Sequence, residues 1–295
     1  MALNLVVFLN GDRGLKTLPL LQKKFRILAI VVEKKNRRIF HAVQKKFRPK
    51  PGLVLPIKNV NSAKALVQLG RLNPDLHVVA GFPQIFKKPL LRIPKWGTIN
   101  LHAGRLPAYR GGSPLNWQMI NGEKRIGIST VLMDEGIDSG RVLTSADFHL
   151  QEGDTIAKVH EKANQLFPRI LIKAIRMVLL KGKRAGRPQA FASATYWHQR
   201  TDEDGEIEFK RMTSKEVIRK VRALTHPYPG AWALLKGKKI RIYEAKMPLL
   251  SHRGTPGRAF CAKNGQIMVG CTDLAVCLEK ITPPLRKRSA FNFDK

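Results

Sequence analysis

The chain has 295 residues, of which 43% are hydrophobic and 25% are charged, a composition that suits a globular protein and is too apolar for a disordered one. Its 54 Lys and Arg residues outnumber its 21 Asp and Glu residues, which gives a formal net charge of +33. A field of that strength attracts nucleic acid, polyphosphates or acidic membrane surfaces, although a proteome rich in Lys and Arg would produce the same balance.

Short apolar runs alternate with segments of helical periodicity in the first part of the chain. The apolar runs predict strands over residues 3–9, 27–32, 76–80 and 98–102, and helical spacing covers residues 15–24, 63–72 and 115–121. Residues 11–14, GDRG, lack the glycine spacing of a dinucleotide-binding fingerprint, so we interpret them as a turn. The alternation predicts an α/β fold with a Rossmann-like parallel sheet.

The second part of the chain has a different pattern. Helical spacing over residues 155–180 is interrupted by Gly and Pro in residues 181–189, which indicates a linker. A short amphipathic helix follows over 214–224, and then five short strands at 231–235, 239–243, 258–262, 266–270 and 275–279. Five strands of this kind suit a small OB-like β-barrel. We therefore predict a catalytic domain over 1–182, a linker over 183–200 and an OB-like domain over 201–295.

The cysteines and the opening segment bear on the compartment. Cys261, Cys271 and Cys277 show neither CxxC spacing nor a disulfide framework, which favours a reducing environment. The opening segment lacks the features of a secretory leader, and the apolar runs are too short to span a membrane, so we expect a cytoplasmic protein. The eight histidines are scattered without ligand spacing, and we expect no metal site.

The densest cluster of unusual residues covers 97–123, GTINLHAGRLPAYRGGSPLNWQMINGE, followed by MDEGIDSG at 133–140. Residues at the carboxyl end of a parallel strand face the ligand crevice, and strand alternation places Asn100 and His102 on the same side. Acyl transfer to an amine needs a group that takes the proton, a donor for the oxyanion and a carboxylate that orients the base. His102, Asn100 and Asp138 supply these residue types. Taken singly, His102 equally fits a structural histidine and Asp138 a turn or cap residue.

These motifs resemble the 10-formyltetrahydrofolate-dependent formyltransferase family, which includes methionyl-tRNA formyltransferase and the formyltransferases of amino-sugar nucleotides. The shared signature is N-L-H, L-P-x-Y-R-G, P-L-N-W, a Gly-Glu pair and M-D-x-G-x-D-x-G. Further stretches, ALTHPYPGAWALL at 223–235 and TPGRAF at 255–260, resemble the family's carboxyl-terminal OB-like domain. The resemblance therefore extends over nearly the whole chain.

The resemblance implies roles for particular residues. Asn100 would stabilise the oxyanion, His102 would shuttle the proton, and Asp138 would pair with that chemistry. The co-substrate would be 10-formyltetrahydrofolate, without a metal. The residues implied beside its pterin are Gln84, Ile85, Phe86, Met133 and Asp134. From the residues alone, the apolar side chains among them fit core packing equally well.

Two sets of features point to different acceptors. SPLNW and RTDEDGEIEF resemble the enzymes of amino sugars, and LNGDRGLKTL replaces the G-T-P-x-F-A-like stretch that is usual in methionyl-tRNA formyltransferases. Residues 34–50 instead correspond to a basic loop that the family's tRNA-binding member inserts into the acceptor stem, and charge with aromatic residues suits RNA. The residues that we predict to bind nucleic acid are Lys34, Lys35, Arg37, Arg38, Lys45, Lys46 and Arg48.

Further cations lie in the carboxyl-terminal part, at Lys236, Lys238, Lys239, Arg241, Arg286, Lys287 and Arg288. A surplus of charge this large is most simply explained by a polyanion, so we favour initiator methionyl-tRNA over an amino-sugar nucleotide. These basic runs fit a solvated surface as well. Two other interpretations are a nucleic-acid-binding protein that keeps the fold without catalysis and an enzyme that hydrolyses formyl-folate. The intact triad speaks against the first of these, and the basic surface and second domain against the second.

Overall fold

A computed structural model describes residues 3–47, 52–261, 265–284 and 290–294. The chain forms two compact units, each built from several stretches. The first contains Met1–Gly111, Gly127–Phe148 and Glu161–Tyr196, and the second contains Gly112–Ile126, His149–His160 and Trp197–Lys295. The linear division at residues 182 and 200 remains a prediction.

The helices and strands follow in chain order. Up to residue 120 they are β1 Asn4–Leu9, α1 Asp12–Lys24, β2 Arg26–Glu33, α2 Arg37–Phe47, β3 Val54–Ile57, α3 Ala63–Gly70, β4 Leu76–Ala80, α4 Lys88–Leu91, β5 Thr98–His102, β6 Arg110–Gly111 and α5 Pro114–Ile120. They continue with β7 Arg125–Leu132, β8 Arg141–His149, α6 Ile156–Lys181, β9 Tyr196–Trp197, α7 Ser214–Leu224, β10 Ala231–Leu235, β11 Lys238–Lys246, β12 Arg258–Cys261, β13 Ile267–Gly270, β14 Ala275–Thr282 and β15 Ala290–Asn292.

A seven-stranded sheet with the order β3-β2-β1-β4-β5-β7-β8 forms the centre of the first unit. The five strands from β3 to β5 are parallel, whereas β7 runs antiparallel to β5. Strands β1 and β4 are almost entirely buried, as expected of parallel strands covered on both faces. The predicted α/β fold with a parallel sheet is therefore confirmed, and β3, β7 and β8 extend the sheet beyond the four predicted strands.

The interpretation of residues 11–14 as a turn is wrong for most of that segment. Helix α1 begins at Asp12, so Arg13 and Gly14 are helical. A Cβ atom on Gly14 would lie 2.3 Å from the Cβ of Leu9. The glycine is therefore needed because it lets the helix approach the preceding strand closely.

The second unit contains a six-stranded antiparallel sheet with the order β10-β11-β14-β13-β12-β15. Its two edges meet through Asp294, whose backbone N–H donates to the carbonyl of Leu234 over 2.9 Å. The sheet is a curled half-barrel, which confirms the predicted smaller OB-like β-domain. Helix α7 has the predicted bounds, and a capping box of Thr213 and Glu216 fixes its start. Strand β15, the sixth, was not predicted.

Among the helices of the described residues, none combines the length and the apolar character that crossing a membrane requires.

Candidate active site

Strand β5 delivers two of the three predicted catalytic residues. Asn100 and His102 are two positions apart, so both project from the same face of the sheet, while Leu101 between them is fully buried. Arg13 supports this strand end by donating from its guanidinium to the carbonyl of Leu101 over 2.7 Å. The amide and the imidazole are therefore held as neighbours by the strand itself.

Asp138 reaches the same place from the loop between β7 and β8. Its backbone has φ = +51°, in the left-handed region that non-glycine residues rarely adopt. Asn100 Nδ2 donates to its Oδ1 over 3.3 Å, and the backbone N–H of Gly111 donates to its Oδ2 over 3.0 Å. His102 Nδ1 lies 3.3 Å from the same Oδ2. The three predicted residues thus share one cluster of contacts.

The imidazole of His102 is enclosed, with only 4% of the residue exposed. Its Nε2 lies 2.6 Å from the backbone carbonyl of Tyr109. Because a carbonyl only accepts, Nε2 carries a hydrogen, and Nδ1 is the ring nitrogen that faces the Asp138 carboxylate. This geometry makes His102 and Asp138 a single unit for holding a proton.

The predicted folate-contacting residues fall into two groups. The side chain of Gln84 bridges the backbone of residues 58 and 60, accepting from Val60 N over 3.0 Å and donating to Lys58 O over 2.9 Å. Phe86 is buried, and its ring packs edge-on against Phe8 with the centroids 4.8 Å apart. The side chain of Gln84 is therefore bonded to the neighbouring backbone, and the side chain of Phe86 lies in the core.

Of the other three residues, Ile85 and Asp134 are exposed and Met133 is half-buried. Ile85 is 68% exposed, which is unusual for a large apolar side chain, and Met133 packs on the core cluster that contains Phe86. Asp134 accepts from Ser139 Oγ over 2.7 Å and so stabilises the turn before Asp138. An ion pair of Lys88 with Glu135, 3.0 Å long, links the two segments. The contact of these residues with a pterin stays a prediction.

The expectation of a basic loop over residues 34–50 is wrong for residues 37–47. Residues Arg37–Phe47 form helix α2, whose start is capped by Asn36 Oδ1 accepting from Ile39 N over 3.1 Å. Ile39 and Val43 lie one helical turn apart and are both fully buried, which anchors the helix. The predicted cations of the described part, all exposed, are Lys34 and Lys35 before the helix and Arg37, Arg38, Lys45 and Lys46 on it. Arg48 lies outside the described residues.

Two of the carboxyl-terminal cations are engaged within the second unit. Asp202 accepts from Arg241 over 2.6 Å and from Lys239 over 2.7 Å. The hydrogen bond from Arg241 is the main reason that the pKa of Asp202 falls to about 2. Lys239 also lies 4.0 Å from the centre of the Trp232 ring. One carboxylate thus offsets part of the charge of these two cations, and Arg286, Lys287 and Arg288 lie outside the described residues.

Gln189 and Arg110 also contact the loop of Asp138, directly and through each other, and neither was predicted from the sequence to have a role. Gln189 lies in the predicted linker and donates to the backbone carbonyls of Asp138 and Gly140. Arg110 belongs to the L-P-x-Y-R-G motif and donates to Gln189. A lone glutamine after a proline carries no local signal for such a contact, because the partner is 51 positions away along the chain.

Most of the chain matches family models and known proteins. Residues 20–175 match the family model described as formyl transferase, and residues 200–292 match that described as formyl transferase, C-terminal domain. The chain is 34% identical over 233 residues to methionyl-tRNA formyltransferase of Geobacter sulfurreducens, covering 79% of this chain and 72% of that protein.

Two solved structures have the same fold. The N-formyltransferase from Helicobacter canadensis, in complex with folinic acid and dTDP-3-aminofucose, superposes with a TM-score of 0.69 at 16% identity over 95% of this chain and 100% of its own. HypX from Aquifex aeolicus, in complex with tetrahydrofolic acid, gives 0.65 at 16% identity over 95% of this chain. The present chain spans only 44% of HypX.

Proposed function

This chain belongs to the formyl transferase family, and from that membership we propose that it transfers the formyl group of 10-formyltetrahydrofolate to the amino group of initiator methionyl-tRNA. The observation that carries the proposal is the convergence of Asn100, His102 and Asp138, within 3.3 Å contacts, at the carboxyl end of β5. An amide, an imidazole and a carboxylate are the groups that formyl transfer to an amine requires.

The three residues divide the work of the reaction. As the amine nitrogen attacks the formyl carbon, the amide of Asn100 donates a hydrogen bond to the formyl oxygen, on which negative charge develops. The unit of His102 and Asp138 takes the proton that the amine must lose. The same proton returns to the departing folate nitrogen as its bond to the formyl carbon breaks.

The surface beside these residues suits a flat heterocycle. Ile85 presents an exposed apolar side chain, and Met133 packs against the core cluster that contains Phe86. The backbone of the loop that ends at Asp138 supplies polar groups next to this apolar surface. In our proposal the pterin of the co-substrate packs on Ile85 and is held by backbone hydrogen bonds.

Helix α2 is the feature that favours a tRNA acceptor. Arg37 and Arg38 occupy its first turn, where the helix dipole disfavours cations by about 0.3–1 kcal/mol each. The helix contains no acidic residue in that turn, so a bound polyanion would compensate the charge. Its exposed cations, interleaved with the half-buried Phe40, offer contacts to a phosphate backbone.

An amino-sugar nucleotide is the second candidate acceptor, and one observation favours it. Asp202 lies within RTDEDGEIEF, the stretch that resembles the sugar enzymes, and it pairs with Arg241 and Lys239. A sugar nucleotide needs few cations, and this pairing engages two cations that RNA would otherwise use. The family membership itself favours catalysis over a binding protein that merely keeps the fold.

Formylation assays with 10-formyltetrahydrofolate and each acceptor test the proposal. We expect activity on initiator methionyl-tRNA and little on amino-sugar nucleotides. Activity confined to the sugar nucleotides would reject the acceptor, and activity on neither would reject the function.

In the same assays Asp138→Asn and His102→Ala should lower kcat by about 10²–10⁴-fold, since each removes part of the proton-holding unit. Asp12→Asn makes the same carboxylate-to-amide change at an exposed position of α1 and should leave kcat unchanged. Wild-type turnover by Asp138→Asn, with the circular dichroism spectrum intact, would refute the assigned site.

A further inference from the structure

The side-chain amide of Gln189 forms three hydrogen bonds inside the first unit, one through its oxygen and two through its nitrogen. Its Oε1 accepts from Arg110 Nε over 3.0 Å. Its Nε2 donates to the backbone carbonyl of Asp138 over 2.8 Å and to that of Gly140 over 2.7 Å. The two carbonyls flank Ser139, so one amide group spans the turn that carries the Asp138 carboxylate.

The chemistry of the partners allows only one orientation of this amide. A guanidinium only donates and a backbone carbonyl only accepts, so Oε1 must face Arg110 and Nε2 must face the loop. Arg110 is itself fixed, because it is 3% exposed, donates from Nη1 to Tyr196 Oη over 2.9 Å and bonds through its backbone N–H to Thr195 O. Gln189 is therefore a preorganised donor.

The loop that Gln189 holds needs such support. The left-handed backbone of Asp138 costs on the order of 1–3 kcal/mol and persists only where its surroundings impose it. The contacts of its carboxylate with Asn100 and His102 are both 3.3 Å long, near the upper limit for a hydrogen bond. A small shift of the loop would break them.

Strand β6 is the common anchor of this arrangement. Gly111 donates its backbone N–H to Asp138 Oδ2, while the neighbouring Arg110 holds the glutamine that bonds to the Asp138 carbonyl. Gly111 has φ = +91°, a conformation that favours glycine. Strand β6 thus holds the side chain of Asp138 directly through Gly111, and it holds the main chain of Asp138 indirectly through Arg110 and Gln189.

We propose that Gln189 is a positioning residue for formyl transfer, which acts by holding Asp138 in register with His102 and Asn100. It touches neither the formyl group nor the amine. The inference rests on the proposed role of Asp138, and it assigns part of the predicted linker to the catalytic machinery.

Two substitutions separate this role from a simple structural one. Gln189→Glu keeps the size of the side chain and its pairing with Arg110, but it replaces both N–H donors with an oxygen that faces two carbonyl oxygens. Gln189→Met keeps the length and removes all three hydrogen bonds. If Gln189 merely fastened its own segment to Arg110, Glu would serve as well as Gln. If it positions Asp138, Glu fails.

The test measures kcat and KM of the full chain with the acceptor on which the wild-type protein is active. We expect kcat to fall about 10–100-fold in Gln189→Glu and Gln189→Met, with KM for both substrates within about twofold of wild type. Gln165→Glu makes the same change at an exposed position of α6, where Nε2 bonds only to Glu161 within the described part of the chain, and should retain wild-type rates.

A second readout does not depend on the acceptor. In protein labelled with ¹⁵N-histidine, the ring Nδ1 resonance of His102 should shift in Gln189→Glu in the same direction as in Asp138→Asn, and should stay in place in Gln165→Glu. An unchanged resonance in Gln189→Glu would contradict the positioning role.

The outcomes distinguish this inference from the proposed function. A wild-type kcat in Gln189→Glu together with a large loss in Asp138→Asn would overturn the positioning role and leave the site intact. Wild-type rates in both variants would reject the site itself. If Gln189→Glu does not fold, kcat of Gln189→Met decides, since it introduces no repelling charge.

Discussion

Three separate parts of the chain form hydrogen bonds with Asp138. Strands β5 and β6 donate to its carboxylate, and Gln189 donates to its backbone carbonyl. Each contact constrains a different atom of the residue. This explains how a non-glycine residue is kept in a left-handed conformation, and it makes the loop a rigid support for the Asp138 carboxylate.

The burial of His77 should make the stability of the protein depend on pH. It lies on β4 with no exposed surface, and within the described part of the chain neither ring nitrogen has a hydrogen-bond partner. Its ring packs edge-on against Phe8. Burial lowers the pKa of His77 from 6.5 to about 3. The folded chain therefore holds this imidazole neutral where the unfolded chain protonates it.

The neutral His77 should make the free energy of unfolding fall at acid pH. Below pH 6.5 the unfolded state binds a proton that the folded state refuses until about pH 3, so stability is lost as the pH falls through this window. At pH 5 the loss from this group is about 2 kcal/mol, since each pH unit corresponds to about 1.4 kcal/mol. Free energies of unfolding at pH 7.5 and 5.0 measure it.

We expect His77→Leu to remove most of that acid-side loss, because the side chain no longer titrates. His41→Leu, at an exposed position of α2, is the matched control and should follow the wild-type slope. An acid-side loss as large in His77→Leu as in wild type would show that other groups cause it.

At the scale of elements, helix α2 combines a buried apolar side with an outer side of exposed cations. Ile39 and Val43 fix it to the first unit, so its charged side chains can be changed without disturbing the core. The cap from Asn36 defines where it begins. The helix is therefore a separable element for testing the acceptor.

Replacing Arg37, Arg38, Lys45 and Lys46 by Gln should raise KM for methionyl-tRNA and flatten its salt dependence. The slope of log(kcat/KM) against log[salt] should fall in magnitude by about 0.7–0.9 for each phosphate that the variant no longer neutralises. Activity on a small amine should not change, because it involves no phosphate backbone.

The control for α2 is a variant with the same loss of charge at Arg169, Lys173, Arg176 and Lys181, all exposed on α6. We expect it to keep a KM for tRNA close to that of wild type. An equal rise of KM in the two variants would mean that total charge, not helix α2, governs binding.

For the whole molecule, the net charge of +33 is spread over both units, so it acts as a long-range field as well as through single contacts. Part of it is compensated locally, as in the pairing of Asp202 with Arg241 and Lys239. The remainder steers polyanions toward the protein, and this attraction weakens as salt screens it.

The wild-type salt dependence therefore discriminates between the acceptors. Six phosphate contacts would give a slope of about −4 to −5 for tRNA, whereas the two phosphates of a sugar nucleotide would give about −2 at most. The measurement is kcat/KM at several salt concentrations for each acceptor. A tRNA slope as shallow as that of the sugar nucleotide would rule out a role for the basic surface.

Local patterns in the sequence identified much of this protein. Buried strands such as β1 and β4 and helix α7 with its capping box are encoded by periodicity and neighbouring residues, so they were predicted nearly to their bounds. The signature around Asn100, His102 and Asp138 also identified the family. Strand alternation in a parallel sheet was enough to predict that Asn100 and His102 are neighbours, whereas Asp138 was added from the residue types that the chemistry needs and from the family resemblance.

Only the tertiary structure shows the features whose partners lie far away in the sequence. The antiparallel β7 and the contact of Gln189 with the Asp138 loop have no local signal. Residues 37–47 have helical spacing and Phe86 is apolar, but only the packing shows that this helix forms and that this ring is buried. A sequence pattern reports how a residue suits its neighbours along the chain, whereas these features arise when segments far apart in sequence pack together and satisfy each other's hydrogen bonds.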